Sequence, residues 1–239
     1  MNRARRHSAI SVIVFDLDDT LYLERDFVSS GFAAVAAWLR DRQGVEGFAA
    51  RAEKVFAAGE RRHVFNVVLR QLGLPATLVA DMVDVYRDHV PTIALAADAA
   101  RFLARDGRRR ALVSDGYLRT QANKVAALGL EDAGFAPIVL TDRWGRACWK
   151  PHRRGFDHVA AHFGVTGAEM VYVADNPAKD FVAPRALGWH SVQIVRQAGI
   201  HPADVRGAVL ADLAILSLDD LDDALLELQE RPILARAAH

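Results

Sequence analysis

Three carboxylates stand within four positions near the start of the chain, directly after an apolar run. The stretch is "VIVFDLDDTLY", residues 12–22, and its acidic residues are Asp16, Asp18 and Asp19. One interpretation is a solvated strand end followed by a turn. The other is a metal site with a carboxylate nucleophile, because a carboxylate can attack phosphorus and its oxygens are suitable ligands for Mg²⁺. The polar residues elsewhere in the chain decide between the two.

Further polar side chains follow the later apolar runs. "RALV" leads into Ser-Asp-Gly, "MVYVA" leads into an acid with a second acid five residues on, and a lysine stands just before a proline in "CWKPHRRGF". These additional candidates are Ser114, Asp115, Gly116, Lys150, Asp175 and Asp180. Phosphoryl transfer is catalysed mostly by positioning and by electrostatics. Together with the first stretch, these residues supply the groups that it requires.

The acidic candidates divide into metal ligands and proton carriers. Asp16 and Asp175 are suitable ligands for Mg²⁺, and Asp16 is also the candidate nucleophile. Asp18 lies two residues on, so a chain that curls after the strand would bring its carboxyl group to the leaving oxygen. We expect Asp18 to protonate that oxygen and then to deprotonate the attacking water.

The remaining candidates are suited to holding a phosphoryl group. Lys150 offers a positive charge both to the phosphate and to the nucleophile. The hydroxyl of Ser114 and the backbone N–H groups near Asp115 and Gly116 can hold phosphoryl oxygens.

The elements that must position these groups alternate between strands and helices. Residues 25–90 carry helical patterns with almost no strand signal, which predicts a helical block inserted after the first strand. After it, strands alternate with helices of about ten residues, including a predicted helix over residues 178–189 that contains Pro184. This order predicts an α/β fold with a parallel sheet covered on both faces. Because sites form at the carboxyl ends of such strands, the candidates fall on one predicted edge.

Composition narrows the possible partners. The 239 residues include 30 Lys+Arg and 30 Asp+Glu, which indicates neither a nucleic-acid nor a membrane-surface partner. No apolar run approaches the roughly 18 residues of a membrane span. The basic start, residues 1–10, lacks a signal-peptide core, and Cys148 is a single cysteine. We expect a cytoplasmic protein, either a monomer or a homodimer.

Four of these stretches resemble the motifs of the haloacid dehalogenase (HAD) superfamily, and of its phosphatases in particular. The stretches are "FDLDDTLY", "LVSDG", "WKP" and "VADNPAKDF", in the family's order. The matching positions are Asp16, Asp18 and Thr20 for the first motif, Ser114 for the second, Lys150 for the third, and Asp175 with Asp180 for the fourth.

The resemblance implies a Rossmann-like core, a Mg²⁺ cofactor and the roles proposed above for Asp16 and Asp18. It also implies that the backbone carbonyl of Asp18 binds the metal, that Thr20 belongs to the phosphate site, and that Asp180 supports the site by orienting the lysine or metal-bound waters. Residues 1–24 and 91–239 would form the core domain, and residues 25–90 a helical cap of the C1 type that closes over the substrate.

Two positions depart from the family's pattern. Ala174 stands where glycine often precedes the first acid of the fourth motif, and this exchange of small residues is expected to be mild. Asp115 stands where asparagine often follows the serine of the second motif. If only its backbone N–H contributes, the change is mild, whereas a side chain touching phosphate would weaken phosphate binding.

The favoured interpretation is a phosphomonoester hydrolase acting on a small phosphorylated metabolite through an aspartyl-phosphate, with sugar phosphates as one possible substrate class. A phosphomutase similar to β-phosphoglucomutase would share every residue named so far. A dehalogenase is disfavoured, because departing halide needs no acid at Asp18. A catalytically idle domain used for binding is the alternative from outside the enzymes.

Overall fold

A computed structural model describes residues 9–200 and 205–230. Residues 1–8, for which the sequence analysis expected no signal peptide, lie outside this range. The chain divides into two compact units. One is an α/β unit formed by residues 9–23, 95–116 and 129–230 without 201–204, and the other is a helical unit formed by residues 24–94 and 117–128.

The α/β unit contains a six-stranded sheet in which every described pair of neighbours is parallel. The strand order is β3-β2-β1-β4-β5-β6, so the first strand lies inside the sheet. The strands are β1 (Val12–Phe15), β2 (Arg109–Ser114), β3 (Phe135–Leu140), β4 (Met170–Ala174), β5 (His190–Ile194) and β6 (Leu213–Ile215). The predicted α/β fold with a parallel sheet is confirmed.

Both faces of β1 are buried, which explains its uninterrupted apolar sequence. Val12 and Val14 belong to a core cluster that includes Phe156. On the alternate face, Phe15 packs against the rings of Phe102 and Phe135, with ring centroids 6.2 and 5.8 Å away. The register pairs β1 with β2 on one side and with β4 on the other, so the carboxyl ends of these three strands lie side by side.

Four α-helices belong to the α/β unit. Three lie between successive strands, α5 (Ala97–Arg105), α7 (Arg154–Phe163) and α8 (Val182–Ala186), and α9 (Leu221–Glu230) follows β6. The helix predicted over residues 178–189 is wrong in extent, since α8 has five residues. Asn176 explains the late start, because its side-chain Oδ1 accepts a hydrogen bond from the N–H of Ala178 and stabilises a turn instead.

The helical unit consists of α1 (Glu24–Gln43), α2 (Phe48–Ala57), α3 (Val64–Gln71), α4 (Val79–Asp88) and α6 (Leu118–Ala127). The first four form the helical block expected after β1. The fifth, α6, follows β2 in the chain but groups with this block. That the block acts as a cap, with the domain boundaries given above, stays a prediction.

The helical unit contains a cluster of aromatic rings in contact with one another. Phe32 contacts the rings of Phe56, Phe65 and Tyr86 at centroid distances of 6.0 to 6.2 Å. In the turn between α2 and α3, the side chain of Glu60 accepts hydrogen bonds from two backbone N–H groups of the following residues.

Across the described residues, no helix is long and apolar enough to cross a membrane.

Candidate active site

The chain curls immediately after β1. The N–H of Leu21 donates to the carbonyl of Leu17 at 3.0 Å, and Asp19 adopts a positive φ of 49°. This turn follows Asp16, which is 4 % exposed at the end of the strand. The curl expected from the sequence is therefore present, and it places three carboxylates on a short loop.

Lys150 lies at the centre of the polar cluster. Its Nζ lies 2.7 Å from Oδ1 of Asp16, 2.8 Å from Oδ1 of Asp180 and 3.0 Å from the hydroxyl oxygen of Tyr172. The lysine side chain has no exposed surface. Residues separated by more than 130 positions in the chain thus meet at one ammonium group.

Three carboxylates approach each other beside this lysine. Asp16, Asp175 and Asp180 each offer one oxygen, and these oxygens lie within 4.8 Å of one another. All three residues are buried. When all three are ionised, the ammonium group of Lys150 balances only one of their negative charges. A divalent cation that prefers oxygen ligands, such as Mg²⁺, fits both the donor set and the charge.

Protonation equilibria reflect the same crowding. Burial raises the pKa of the Asp16 carboxyl to about 6, although the charge of Lys150 opposes the increase. Burial, followed by the charges of Asp16 and Asp180, raises the pKa of Asp175 to about 9. Burial also works against the charged form of Lys150, but the neighbouring carboxylates outweigh it and hold its pKa well above the usual value. The lysine is therefore a permanent positive charge.

The other two acids of the first motif have different surroundings. Asp18 is partly exposed and accepts a hydrogen bond from the hydroxyl of Tyr22. Asp19 is buried, and its carboxylate accepts a hydrogen bond from the backbone N–H of Ile200 at 2.6 Å. Asp18 thus retains contact with solvent, which suits a proton carrier, whereas Asp19 connects two loops.

Two buried hydroxyls stand without hydrogen-bond partners in the described structure. They are Oγ of Ser114, at the end of β2, and Oγ1 of Thr20, in the loop after β1. An unsatisfied buried hydroxyl costs free energy, so such groups suggest a ligand that would accept from them. Gly116 follows with a φ of 130°, which favours glycine at this turn.

A buried ion pair holds the loop after β1 from outside the cluster. Arg196 contacts both carboxylate oxygens of Asp98 at 2.8 and 2.9 Å, and its other terminal nitrogen donates to the carbonyl of Thr20 at 2.6 Å. Asp98 also accepts from the N–H of Leu218. The guanidinium of Arg196 therefore joins Asp98 to the loop that carries the acids, and these charge-assisted hydrogen bonds restrain that loop.

The side chain of Asp115 faces protein groups. Its Oδ1 accepts from the hydroxyl of Thr141 at 2.7 Å and from the backbone N–H of Lys150 at 3.0 Å, and its Oδ2 lies 3.1 Å from Nζ of Lys179. Burial opposes the charged form, but the charges of Lys150 and Lys179 outweigh it and lower the pKa of Asp115. The side chain is therefore a bound carboxylate with its own counterion.

Three of these partners were not among the sequence candidates. Lys179 lies inside the "DNPAKD" stretch, where the spacing of its two acids drew attention away from the lysine between them. Tyr172 is a polar exception in the apolar run of β4, and this exception was its sequence signal. Thr141 directly follows β3, so the strand-end argument applied to the other strands would have included it.

The family is shown by comparison with known proteins. The model of the haloacid dehalogenase-like hydrolases matches residues 10–188. That range covers most of the chain and contains every residue of the cluster described above. The chain belongs to this family of hydrolases.

Similar sequences include phosphatases. The chain is 29 % identical over 177 residues to a phosphoserine phosphatase of Thermus thermophilus, an alignment that covers 72 % of this chain and 67 % of the relative. It is 25 % identical over 232 residues to a glyceraldehyde 3-phosphate phosphatase of Methanocaldococcus jannaschii, covering 92 % and 99 %. The expected enzyme class, a HAD-family hydrolase with phosphatase relatives, is confirmed at this level.

A solved structure shares the fold. The HAD-hydrolase YfnB from Bacillus subtilis, bound to magnesium, aligns with a TM-score of 0.64 and 18 % sequence identity over 91 % of this chain and 99 % of that one. At this identity, the likeness concerns the fold alone. The Rossmann-like fold implied by the four motifs is confirmed.

Proposed function

We propose that the chain is a Mg²⁺-dependent phosphomonoester hydrolase that acts on a small phosphorylated metabolite through an aspartyl-phosphate. The observation that carries the proposal is the convergence of Asp16, Asp175 and Asp180 on Lys150 at one edge of the sheet. A buried site with excess negative charge favours a cation and a substrate that binds through it.

Asp16 and Asp175 would hold Mg²⁺, together with the backbone carbonyl of Asp18. When bound, the ion would neutralise charge on the phosphate and on the attacking carboxylate. Asp180 has a different role in this proposal. Its two oxygens contact Nζ of Lys150 and the N–H of Asn176, so it orients the lysine and the loop after β4.

In the first step, a carboxylate oxygen of Asp16 attacks phosphorus. A P–O bond to Asp16 forms, the P–O bond to the leaving group breaks, and Asp18 gives its proton to the departing oxygen. Lys150 holds the nucleophile through Oδ1 and offsets its charge. The unpaired hydroxyls of Thr20 and Ser114 would donate to phosphoryl oxygens.

In the second step, water attacks the phosphorus of the aspartyl-phosphate. Asp18 now accepts the proton of that water, the bond between phosphorus and Asp16 breaks, and inorganic phosphate leaves. Asp16 is regenerated as a carboxylate, and Asp18 carries the proton needed for the next cycle. The partial exposure of Asp18 suits this exchange of protons with water.

The substrate proposed is a soluble phosphomonoester. The relatives named above are phosphatases of phosphoserine and of glyceraldehyde 3-phosphate, which are both small phosphorylated metabolites. Sugar phosphates belong to the same size class and are included in the proposed substrates. The proposed location of the protein is the cytoplasm.

The proposal is tested by phosphate release from a panel of phosphorylated metabolites. The panel contains phosphoserine, glyceraldehyde 3-phosphate, sugar phosphates, nucleoside monophosphates and an aryl phosphate, each with Mg²⁺ and with EDTA. We expect release with Mg²⁺, no release with EDTA, and a loss of at least about a thousandfold in Asp16→Asn. Asp41→Asn is the matched control, because Asp41 is an exposed acid of α1.

The outcomes separate the alternatives. Release that persists in Asp16→Asn would reject the aspartyl-phosphate mechanism. Conversion of a sugar phosphate to an isomer without release of phosphate would identify a phosphomutase. A folded parent that binds Mg²⁺ but acts on no phosphate ester would reject phosphatase function and favour a binding role.

A further inference from the structure

The ammonium group of Lys150 is buried among protein oxygens. Two of its three N–H donors form hydrogen bonds, to Oδ1 of Asp16 and to the hydroxyl oxygen of Tyr172, and Oδ1 of Asp180 lies 2.8 Å away as an ion-pair partner. Its side chain is 0 % exposed. A phosphate that approaches the cluster therefore meets a lysine that is already bound to protein oxygens and has no exposed surface of its own.

Lys179 is the second lysine of this cluster, and its surroundings differ. Its Nζ lies 3.1 Å from Oδ2 of Asp115, and 31 % of its side chain is exposed. It directly precedes Asp180, whose Oδ1 lies 2.8 Å from Nζ of Lys150, and its positive charge favours the ionised form of Asp16. Lys179 thus combines a fixed position with access to solvent.

Lysine is a rare cation in this chain compared with arginine. The sequence contains twenty-six arginines and four lysines, and two of those lysines are Lys150 and Lys179. An ammonium group is a compact point charge, whereas a guanidinium is a planar fork that matches carboxylates and phosphates in two-point contacts. The chain thus departs from its usual cation twice within one cluster, where space is limited.

We propose that Lys179 is the cation that directly contacts the phosphate group of the substrate, and that Asp115 is a positioning residue that holds its ammonium group in place. This inference rests on the proposed function, since it assumes a phosphate ligand. It also gives Asp115 a role different from either one considered from the sequence. Asp115 contributes more than its backbone N–H, and its carboxylate does not repel phosphate unopposed, because Lys179 balances its charge.

The arrangement of Asp115 explains why the pair is stable. Oδ1 is fixed by the hydroxyl of Thr141 and by the N–H of Lys150, so Oδ2 points in a defined direction. Oδ2 of Asp115 restrains Lys179 through one contact with its Nζ. The other N–H donors of Lys179 are suited to phosphoryl oxygens, since charge-assisted hydrogen bonds to phosphate are strong.

The test measures binding of inorganic phosphate to the full chain in the presence of Mg²⁺, by calorimetry and by competitive inhibition of turnover. The variants are Lys179→Met, Lys179→Arg, Asp115→Asn and the double variant Asp115→Asn/Lys179→Met. Lys54→Met is the matched control, because Lys54 is an exposed lysine of α2. Thermal unfolding of each variant verifies that it is folded.

We expect Lys179→Met to weaken phosphate binding and to raise KM by on the order of ten- to a hundredfold, with a smaller change in kcat. The double variant should bind phosphate more tightly than Lys179→Met, because it also removes a negative charge that Lys179 no longer offsets. Lys179→Arg should recover part of the affinity. Asp115→Asn keeps an acceptor oxygen for Thr141 and for the N–H of Lys150, so its effect should be only a few-fold.

Unchanged phosphate binding in Lys179→Met would overturn the inference, as would a double variant no better than that single variant. Because calorimetry measures phosphate binding without turnover, the proposed function is judged separately. A parent that binds phosphate through Lys179 but releases none from any ester would reject the hydrolase and keep the inference. If the parent hydrolyses esters but Lys179→Met binds phosphate normally, the hydrolase is kept and the inference is rejected. A parent that binds no phosphate would reject the inference.

Discussion

The strand ends of the α/β unit bury charged side chains, whereas the interior of the helical unit buries mainly apolar ones, aromatic rings among them. At the strand ends, Asp16, Lys150, Asp175 and Asp180 are each less than a tenth exposed. A buried charge is costly unless it is paired, and this group has more carboxylates than ammonium groups. In the proposed function, a bound cation would offset this excess of negative charge.

The helical unit has the opposite composition. Phe32, Phe48 and Phe27 are almost fully buried, and their rings contact other rings of the same unit. Lys124 is a buried exception whose Nζ lies 4.2 Å above the ring of Phe27. Aromatic burial combines a large apolar area with favourable ring geometry, so this interior stabilises its unit without requiring a ligand.

The charged cluster and the interior of the helical unit are both buried, but we expect the first to serve binding and the second to serve stability. A substitution in the charged cluster should change binding and turnover more than folding. A substitution in the aromatic interior should change folding more than the chemistry of the strand ends. Four predictions test this division, from the largest expected effect to the smallest.

The largest effect is expected from Lys150→Met. This change removes the positive charge from between Asp16 and Asp180, so the nucleophile loses its partner and the carboxylates repel each other more strongly. We expect kcat/KM for phosphate release to fall by on the order of a thousandfold or more. Steady-state kinetics measure the loss, and circular dichroism verifies the fold. A decrease of less than tenfold would contradict the central role given to this lysine.

The helical unit is tested by Phe32→Ala. The ring is 3 % exposed and contacts three other rings, so its removal leaves a cavity. We expect the free energy of unfolding to fall by about 3 to 5 kcal/mol. Urea denaturation measures the total, and hydrogen exchange of α1 amides locates the change in this unit.

Trp38→Ala is the matched control for that experiment. Trp38 lies on the same helix but is only half-buried, with Arg42 over its ring. We expect a smaller loss of stability than for Phe32→Ala. In both variants, binding of phosphate and Mg²⁺ by the folded protein should stay close to that of the parent. A large loss of binding at full folding would break the division between the two units.

The charged cluster should make the metal-free protein sensitive to pH. Asp175 is faced by Asp16, Asp180, Asp19 and Lys150, and its pKa is raised to about 9, mainly by burial. A carboxyl whose folded pKa is raised stabilises the fold below its unfolded pKa, and this contribution is lost as the pH rises through the folded pKa. Stability with EDTA should therefore decrease from about pH 4, near the usual pKa of these carboxyls, to about pH 9, and Asp16 contributes to this decrease only up to about pH 6.

Thermal unfolding at several pH values measures this effect. We expect the Tm with EDTA to fall by several degrees over this range, on the order of the shift that 1 to 2 kcal/mol produces. Saturating Mg²⁺ should reduce the decrease, because the cation offsets the carboxylate charges. Asp175→Asn should also reduce it, since the amide has no proton to lose. A Tm that rises with pH in the parent, with EDTA, would contradict the prediction.

The smallest effect is expected from Tyr172→Phe. The hydroxyl of Tyr172 lies 3.0 Å from Nζ of Lys150 and donates to the carbonyl of Val113. Its removal leaves one donor of the lysine unsatisfied but keeps the ring, which packs against Phe156. We expect kcat to fall by about tenfold with little change in KM, as a buried hydrogen bond is lost. An equal loss in KM would instead indicate that Tyr172 contacts the substrate.

Much of the α/β unit could be predicted from the sequence, because its signals are local. The apolar run of β1 and the alternation that follows it are visible in any window of a few residues. The residue types at the strand ends then placed Asp16, Ser114, Lys150 and Asp175 on one edge, since parallel strands end at the same side of a sheet. The start of α8 was missed because the turn at Asn176 replaces a helical pattern by side-chain hydrogen bonds.

Sequence alone indicated the family and the order of its motifs along the chain. It also singled out the acids and the lysine proposed for the chemistry, because these depend on residue type and spacing. Tertiary structure alone decided which groups meet. It brought Lys179 to Asp115 across 64 positions and Tyr172 to Lys150 across 22, and it grouped α6 with the helical unit. Such pairings depend on side-chain direction and on packing between distant elements, and neither is encoded in a local pattern.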